Sequence, residues 1–129
     1  MRYAFLIYCR EDTPAAGGDK RCCEEQFTAV LDRLRARGVL AFSQLLQPSR
    51  AARVVRCWDG GDIVITGGPA AQSKEQLTGW VIADCEDLDA AVHLATAIPA
   101  AWYGSVEVRP AGQTLTSLPP PERNAPPRG

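Results

Sequence analysis

Two amphipathic helical segments, each lying between segments with strand character, constrain the fold of this chain more than any other feature. In the first, residues 22–37, apolar side chains recur at the spacing i, i+3, i+4 and i+7, which predicts one buried stripe along a helix. In the second, Asp87 is the predicted N-cap of a helix that continues through Ile98 and is stopped by Pro99. Each helix therefore needs a partner layer against which to bury its apolar face.

Six segments have the composition and alternation of β-strands. They are residues 2–8, 39–47, 53–58, 63–66, 77–85 and 103–108. Between the third and the fourth, Asp59-Gly60-Gly61-Asp62 supplies the positive φ angles of a tight hairpin. The order β-α-β-hairpin-β-α-β is the split βαβ or ferredoxin-like pattern, an α+β fold with two helices on one face of an antiparallel sheet.

The length of 129 residues, with 46% hydrophobic residues, fits one domain with a modest core. We expect this domain to span residues 1–110 and the proline-rich residues 111–129 to form a flexible or extended arm. The sheet face without helices also needs a cover. A second copy of the same sheet is the simplest cover, so a homodimer is the expected state.

Charge and composition exclude several classes of partner. The formal net charge of −1 provides no basic field for nucleic acid or anionic lipid, so we expect neither partner. The apolar runs are far shorter than the ~20 residues of a membrane helix, and with no signal-peptide pattern a cytoplasmic location is expected. The five cysteines lack metal-binding spacing and are interpreted as reduced thiols, so no metal and no organic cofactor are expected.

Several stretches of the chain carry a family resemblance. They read R-Y-A-F-L-I-Y at 2–8, L-L-Q-P at 45–48, G-G-P-A-A-Q-S-K-E-Q-L-T-G-W at 67–80 and G-S-V-E-V-R-P at 104–110. Together they resemble the YCII-related proteins, and most closely the subgroup named for an Asp-Gly-Pro-Phe loop. The resemblance implies a dimeric α+β barrel that binds small organic molecules in a cleft between each sheet and its helices.

The chain departs from this family pattern in the loop itself. Gly67, Gly68, Pro69 and Ala70 stand at the Asp-Gly-Pro-Phe positions, and Gln72 stands where an acid is usual. A glycine at the first position can neither take a proton nor orient a histidine. The family's usual loop acid is therefore absent.

No histidine stands at a position where it could take over the role of the missing loop acid. Some relatives are implied to use a His-Asp dyad, but the N-terminal half of this chain contains no histidine. His93, the single histidine, is interpreted as a solvent-facing partner of Asp89 one helical turn away. Chemistry, if the protein performs any, must therefore come from other residues.

The remaining polar and aromatic residues near the expected cleft form the candidate site. Lys74 and Arg109 would stabilise developing oxyanion charge, and Tyr8 or Glu75 would move a proton. The predicted substrate contacts are Ser43, Gln44, Gly68, Pro69, Trp80 and Glu107. Structural alternatives stay open, with Lys74 and Glu75 as a solvated turn and Glu107 and Arg109 as an ion network across the sheet.

Two hypotheses of function follow. In the first, the protein binds a small, largely apolar, aromatic or polyketide-like compound of bacterial biosynthesis, or transforms it by cofactor-independent isomerisation, elimination or cyclisation. This hypothesis requires ligand space between the sheet and its helices. In the second, the protein is a non-catalytic binding or regulatory module linked to a sigma factor, as the loop-motif relatives imply.

Overall fold

A computed structural model describes residues 1–11 and 20–116, except for the side chains of residues 20–24, 102 and 103. Most of the expected C-terminal arm, from residue 117 onwards, therefore lies outside the described residues. The strands are β1 Arg2–Arg10, β2 Leu40–Leu45, β3 Arg53–Cys57, β4 Ile63–Gly67, β5 Glu75–Asp84 and β6 Gly104–Pro110. The helices are α1 Lys20–Ala36, α2 Leu88–Ala95 and α3 Ala100–Tyr103, with a short 3-10 helix at Ser49–Ala51.

The main sheet has the strand order β2-β5-β1-β6, and its neighbours pair antiparallel. Strands β3 and β4 form a separate two-stranded sheet. The predicted ferredoxin-like α+β arrangement, with its inserted hairpin, is therefore confirmed.

The helices cover one face of the main sheet. Alternate residues of β1 (Tyr3, Phe5, Ile7) and β5 (Val81, Ala83) are buried against Val30 and Leu34 of α1 and Ala91 and Ala95 of α2. Phe5 and Ala91 are 0% exposed, so no cavity able to hold a water lies against them. Within the described residues, the space between this part of the sheet and its helices is thus filled by core side chains. The ligand space that the first hypothesis requires between these layers is not found there, so a ligand would have to bind elsewhere on the protein.

The opposite face of the sheet carries a mixed row of side chains. Leu6 of β1 pairs with Trp80 of β5 and with Glu107 of β6, and Trp80 pairs with Gln44 of β2. Directly paired residues of antiparallel strands point to the same face. These four side chains therefore lie in one line across the sheet, on what we call the open face.

The β3–β4 hairpin has one apolar face turned to solvent. Its turn uses φ angles of 102° at Gly60 and 93° at Gly61, as predicted. Val55 pairs with Ile65, and the exposed fractions of these two side chains are 61% and 65%. Ile63, two residues from Ile65 on the same face, is also 65% exposed.

The second helix is shorter than predicted. The Asp87 side chain caps it as expected, accepting a hydrogen bond of 2.8 Å from the Ala90 N–H. The helix ends at Ala95, however, and the residues up to Ile98 form tighter bonds to carbonyls three residues back, such as Ile98 N to Ala95 O at 3.1 Å. Within the described part of the chain, no helix is long and apolar enough to cross a membrane.

Candidate functional site

A groove of about 330 Å³ opens at the end of β1, beside the loop that joins β4 to β5. Four parts of the chain contribute to it. They are Glu11 after β1, Ser49 of the 3-10 helix, Pro69 and residues 72–74 of the loop, and Gln76 at the start of β5. The groove is therefore built on the loop that the sequence singled out, at one end of the sheet.

The loop is held in shape by its own hydrogen bonds. The Gln76 amide nitrogen donates to the carbonyl oxygens of Ala71 at 2.8 Å and Ser73 at 2.7 Å. The Ser73 hydroxyl accepts from the Glu75 N–H at 3.3 Å. Gly68 starts the loop at φ 90°, which a residue with a Cβ rarely adopts. Gly68 and Gln76 thus hold the shape of the loop.

Glu11 brings a fixed carboxylate to the groove. Its Oε1 accepts from the Ser49 N–H at 2.8 Å, and its Oε2 accepts from the Ser49 hydroxyl at 2.5 Å. These bonds stabilise the charged carboxylate and so lower the pKa of Glu11. The Ser49 hydroxyl has the largest effect, followed by the Ser49 N–H, and the nearby charge of Arg50 adds a smaller one. Glu11 is consequently ionised at neutral pH.

Lys74 brings a positive charge to the same groove. Among the described residues, no carboxylate lies within ion-pair distance of its ammonium group. The predicted Lys74–Glu75 turn accordingly has no ion pair between its two members. The Lys74 ammonium is available to an oxyanion or carbonyl oxygen of a bound molecule.

The structure divides the predicted site residues between two places. Pro69 and Lys74 line the groove, with Gly68 immediately before them. Glu75 begins β5 instead of lying in the loop, and its Oε2 accepts from the Ser105 hydroxyl at 3.3 Å. Glu75 is therefore directed away from the groove, although it is next to Lys74 in sequence.

Most of the other predicted residues lie on the open face. These are Tyr8, Gln44, Trp80, Glu107 and Arg109. Ser43 does not join them: it pairs with Val81 on the helix side, and its hydroxyl donates to the Trp80 carbonyl oxygen at 3.2 Å. The expectation that Ser43 and Gln44 point into one cleft conflicts with this placement, because successive strand residues face opposite sides of a sheet.

Glu107 and Arg109 form an ion pair with each other within β6, whereas the structural alternative was an ion network across the sheet. Both side chains remain substantially exposed to solvent, at 40% and 68%. An exposed pair of this kind contributes at most about 1 kcal/mol to stability. Their pairing leaves the positive charge of Arg109 partly neutralised, in contrast to that of Lys74.

Glu11 and Ser49 were not among the residues predicted for the site. Each had a weak signal in the sequence: Glu11 directly follows the first strand, and Ser49 follows Pro48, which ends the second. Two strand ends reach the same edge only if β1 and β2 lie in a particular strand order. The pairing of these two residues therefore depends on tertiary structure that their local sequence does not encode.

The described residues contain no cluster of side chains typical of a metal site. No three His, Cys, Asp or Glu side chains of the described ranges cluster as metal ligands would. Cys57 and Cys85 are reduced thiols, and burial raises the pKa of Cys85, which keeps it protonated at neutral pH.

Comparisons with known proteins agree with this architecture. The model of the YCII-related domain matches residues 1–112. An uncharacterised protein of Rhizobium meliloti (strain 1021) is 35% identical over 115 residues, which cover 85% of this chain and 91% of that protein. The solved structure of 5-chloro-2-hydroxyhydroquinone dehydrochlorinase (TftG) from Burkholderia phenoliruptrix AC1100, in complex with 2,5-dihydroxybenzoquinone, is similar in fold. It has a TM-score of 0.54 and 12% identity, covering 88% of this chain and 96% of that one.

Proposed function

Because the chain belongs to the YCII-related family, we propose that it binds a small organic molecule in the groove beside Lys74 and transforms it without a cofactor. The reaction type is proton transfer leading to isomerisation, elimination or cyclisation. The dehydrochlorinase with the similar fold acts on a small hydroxylated ring, which supports a ligand of that size. We place this activity in the cytoplasm of a bacterium, as part of a biosynthetic pathway.

The observation that carries this proposal is that two side chains of opposite charge line one groove. Glu11 presents an ionised carboxylate and Lys74 an ammonium group, and neither has an ion-pair partner among the described residues. Fixed charges in a concave site stabilise charge that develops on a bound molecule. We therefore propose that Lys74 stabilises an enolate or phenolate oxygen of the ligand.

The groove favours a more polar ligand than the largely apolar compound expected from the sequence. Pro69 is its one apolar lining residue among those described, and the others carry hydroxyl, amide or charged groups. A volume of about 330 Å³ is at the small end of ligand sites, which suits a single ring. We propose an aromatic or quinone-like ring that bears several oxygen atoms.

Binding without turnover is the second candidate function. Gly67 and Gln72 stand at the positions of the family's acids, and neither can accept a proton. A protein that kept the loop but not the acids could hold a small molecule as a carrier or as a sensor in regulation, including regulation linked to a sigma factor. Comparing ligand consumption with ligand binding distinguishes the two candidates.

We further propose that the protein is a homodimer. The open face carries the half-buried Trp80, and the solvent-facing side of the hairpin, which we call its outer face, exposes Val55, Ile63 and Ile65. A two-stranded hairpin is only marginally stable by itself, so packing against a second copy would stabilise it. In this arrangement the residues of the open face contact the partner, while the groove at the end of β1 stays accessible.

The test is a calorimetric titration of the protein with 2,5-dihydroxybenzoquinone, the ligand present in the TftG structure. We expect binding that Lys74→Gln weakens at least tenfold. The matched control is Arg33→Gln, which removes an exposed positive charge on α1, away from the groove, and leaves binding unchanged. Equal binding by wild type and Lys74→Gln would place the ligand elsewhere.

A further inference from the structure

We propose that Glu11 is the residue that selects hydroxylated ligands in this groove, by accepting a hydrogen bond from a phenolic or enolic hydroxyl of the bound ring. This inference rests on the proposed function, because it concerns a ligand of the same groove. Glu11 is the single acidic residue among the described residues that line the groove. It therefore provides the carboxylate that positions 67 and 72 do not.

The geometry of Glu11 leaves it able to bind a ligand. Each carboxylate oxygen has two lone pairs, and Ser49 uses one on each oxygen. Among the described residues, one acceptor position per oxygen remains. Because both oxygens are fixed by the same residue, the carboxylate is held in place before a ligand arrives, which lowers the entropy cost of binding.

An acid at position 67 would contact Arg53 of the hairpin and would not line the groove, as Glu11 does. Gly67 pairs with Arg53 in the hairpin, and a Cβ added at position 67 would approach the Arg53 Nη1 at 3.9 Å. An aspartate at this position is thus next to a guanidinium group, outside the residues that line the groove. Glu11, by contrast, is one of the residues that line the groove.

Glu11 acts as a hydrogen-bond acceptor and not as a base. The bonds from Ser49 stabilise its charged form and so make it a weak proton acceptor at neutral pH. A weak base that stays charged gives a strong hydrogen bond to a neutral hydroxyl. Together, Glu11 and Lys74 define the ligand class: a small ring with a hydroxyl for Glu11 and an anionic or carbonyl oxygen for Lys74.

The experiment measures the binding of 2-, 3- and 4-hydroxybenzoate against benzoate, which has the same carboxylate for Lys74 but no hydroxyl. At pH 7 we expect at least one hydroxybenzoate to bind wild type more tightly than benzoate. Glu11→Gln should weaken that isomer roughly 10- to 100-fold, as expected for a hydrogen bond to a charged group. Benzoate binding should not weaken in this variant.

Two controls separate ligand selection from a structural role of Glu11. Glu86→Gln removes an exposed carboxylate beyond the other end of β5 and should leave every affinity unchanged. Ser49→Ala removes one of the two bonds that hold Glu11 but leaves the charge of Glu11 in place. This variant should still prefer the hydroxybenzoate over benzoate, but by a smaller factor than wild type. If Glu11 were only structural, Glu11→Gln would weaken benzoate and hydroxybenzoate equally, which would overturn the inference.

The same data distinguish failure of this inference from failure of the proposed function. Binding of benzoate and the hydroxybenzoates with equal affinity to wild type overturns the role of Glu11 and leaves the groove as a ligand site. If none of these compounds and no 2,5-dihydroxybenzoquinone binds, both the proposed function and this inference are wrong.

Discussion

Arg53 lies opposite Gly67 in the β3–β4 hairpin, so that a Cβ at position 67 would meet the Arg53 guanidinium at 3.9 Å. Gly67→Asp should therefore be tolerated and form a surface ion pair, changing the free energy of unfolding by less than about 1 kcal/mol. Urea denaturation at low and high salt measures this effect. Gly68→Asp is the matched control, and its φ of 90° should make it cost about 1–3 kcal/mol. Equal effects of the two substitutions would contradict this description of the loop.

The Glu11–Ser49 contact should make stability depend on pH. The pKa of Glu11 is lowered from its ordinary value of 4.5 by the bonds from Ser49. The stabilisation is therefore complete above about pH 4.5, and it is lost as the pH falls through the lowered pKa that Glu11 has in the folded protein. Ser49→Ala should be less stable than wild type at pH 7, and the difference should shrink as the pH falls to 3.

Urea denaturation of wild type and Ser49→Ala at pH 7, 5 and 3 measures this difference. Ser43→Ala is the control, because the Ser43 hydroxyl donates to a backbone carbonyl, which does not titrate. The difference in the free energy of unfolding between Ser43→Ala and wild type should not depend on pH. A pH-independent difference for Ser49→Ala would mean that the contact does not stabilise the charged carboxylate.

The sequence predicted the fold well because periodicity and turn chemistry are local. The helical stripe with Val30 and Leu34, the cap at Asp87 and the hairpin turn at Gly60 each depend on neighbouring residues, and each is confirmed. The family resemblance is also confirmed over residues 1–112. The end of the second helix was predicted three residues too late, because Ile98 is buried without being helical.

The site was harder to predict because its geometry depends on strand order. Lys74 and Pro69 could be identified from the loop motif, whereas Glu11 and Ser49 meet only after β1 and β2 have taken their places in the sheet. The alternation of side chains along a strand is enough to place Ser43 and Gln44 on opposite faces, so this error was avoidable. The ligand roles predicted for the open-face residues remain predictions.

Gly79 should be required for the packing of β2 on β5. A Cβ at this position would lie 2.6 Å from the Gln44 carbonyl oxygen and 3.2 Å from the Leu45 Cα, and backbone atoms cannot easily move away. Gly79→Ala should destabilise the protein by about 1–3 kcal/mol in urea denaturation. Gly112→Ala, where a Cβ has no neighbour within 4 Å, is the control and should have little effect. No loss of stability in Gly79→Ala would show that the two strands are further apart.

The outer face of the hairpin should contribute to the proposed homodimer. Ile65→Glu places a charge on the exposed apolar face, so it should convert the dimer to a monomer in sedimentation velocity experiments. Thr66→Glu is the control, because the neighbouring residue faces the other side of the hairpin. Wild type and Thr66→Glu should both sediment as dimers. A monomeric wild type, or a dimeric Ile65→Glu, would exclude this interface.

The most direct test of the central claim is the location of a bound ligand on the protein. In an NMR titration with 2,5-dihydroxybenzoquinone, we expect the amide shifts to change most at Glu11, Ser49 and residues 72–76, around the groove. Lys74→Gln should reduce these changes at equal ligand concentration. Shifts confined to Gln44, Trp80 and Glu107 on the open face, with the groove residues unchanged, would contradict the assignment of the groove as the ligand site.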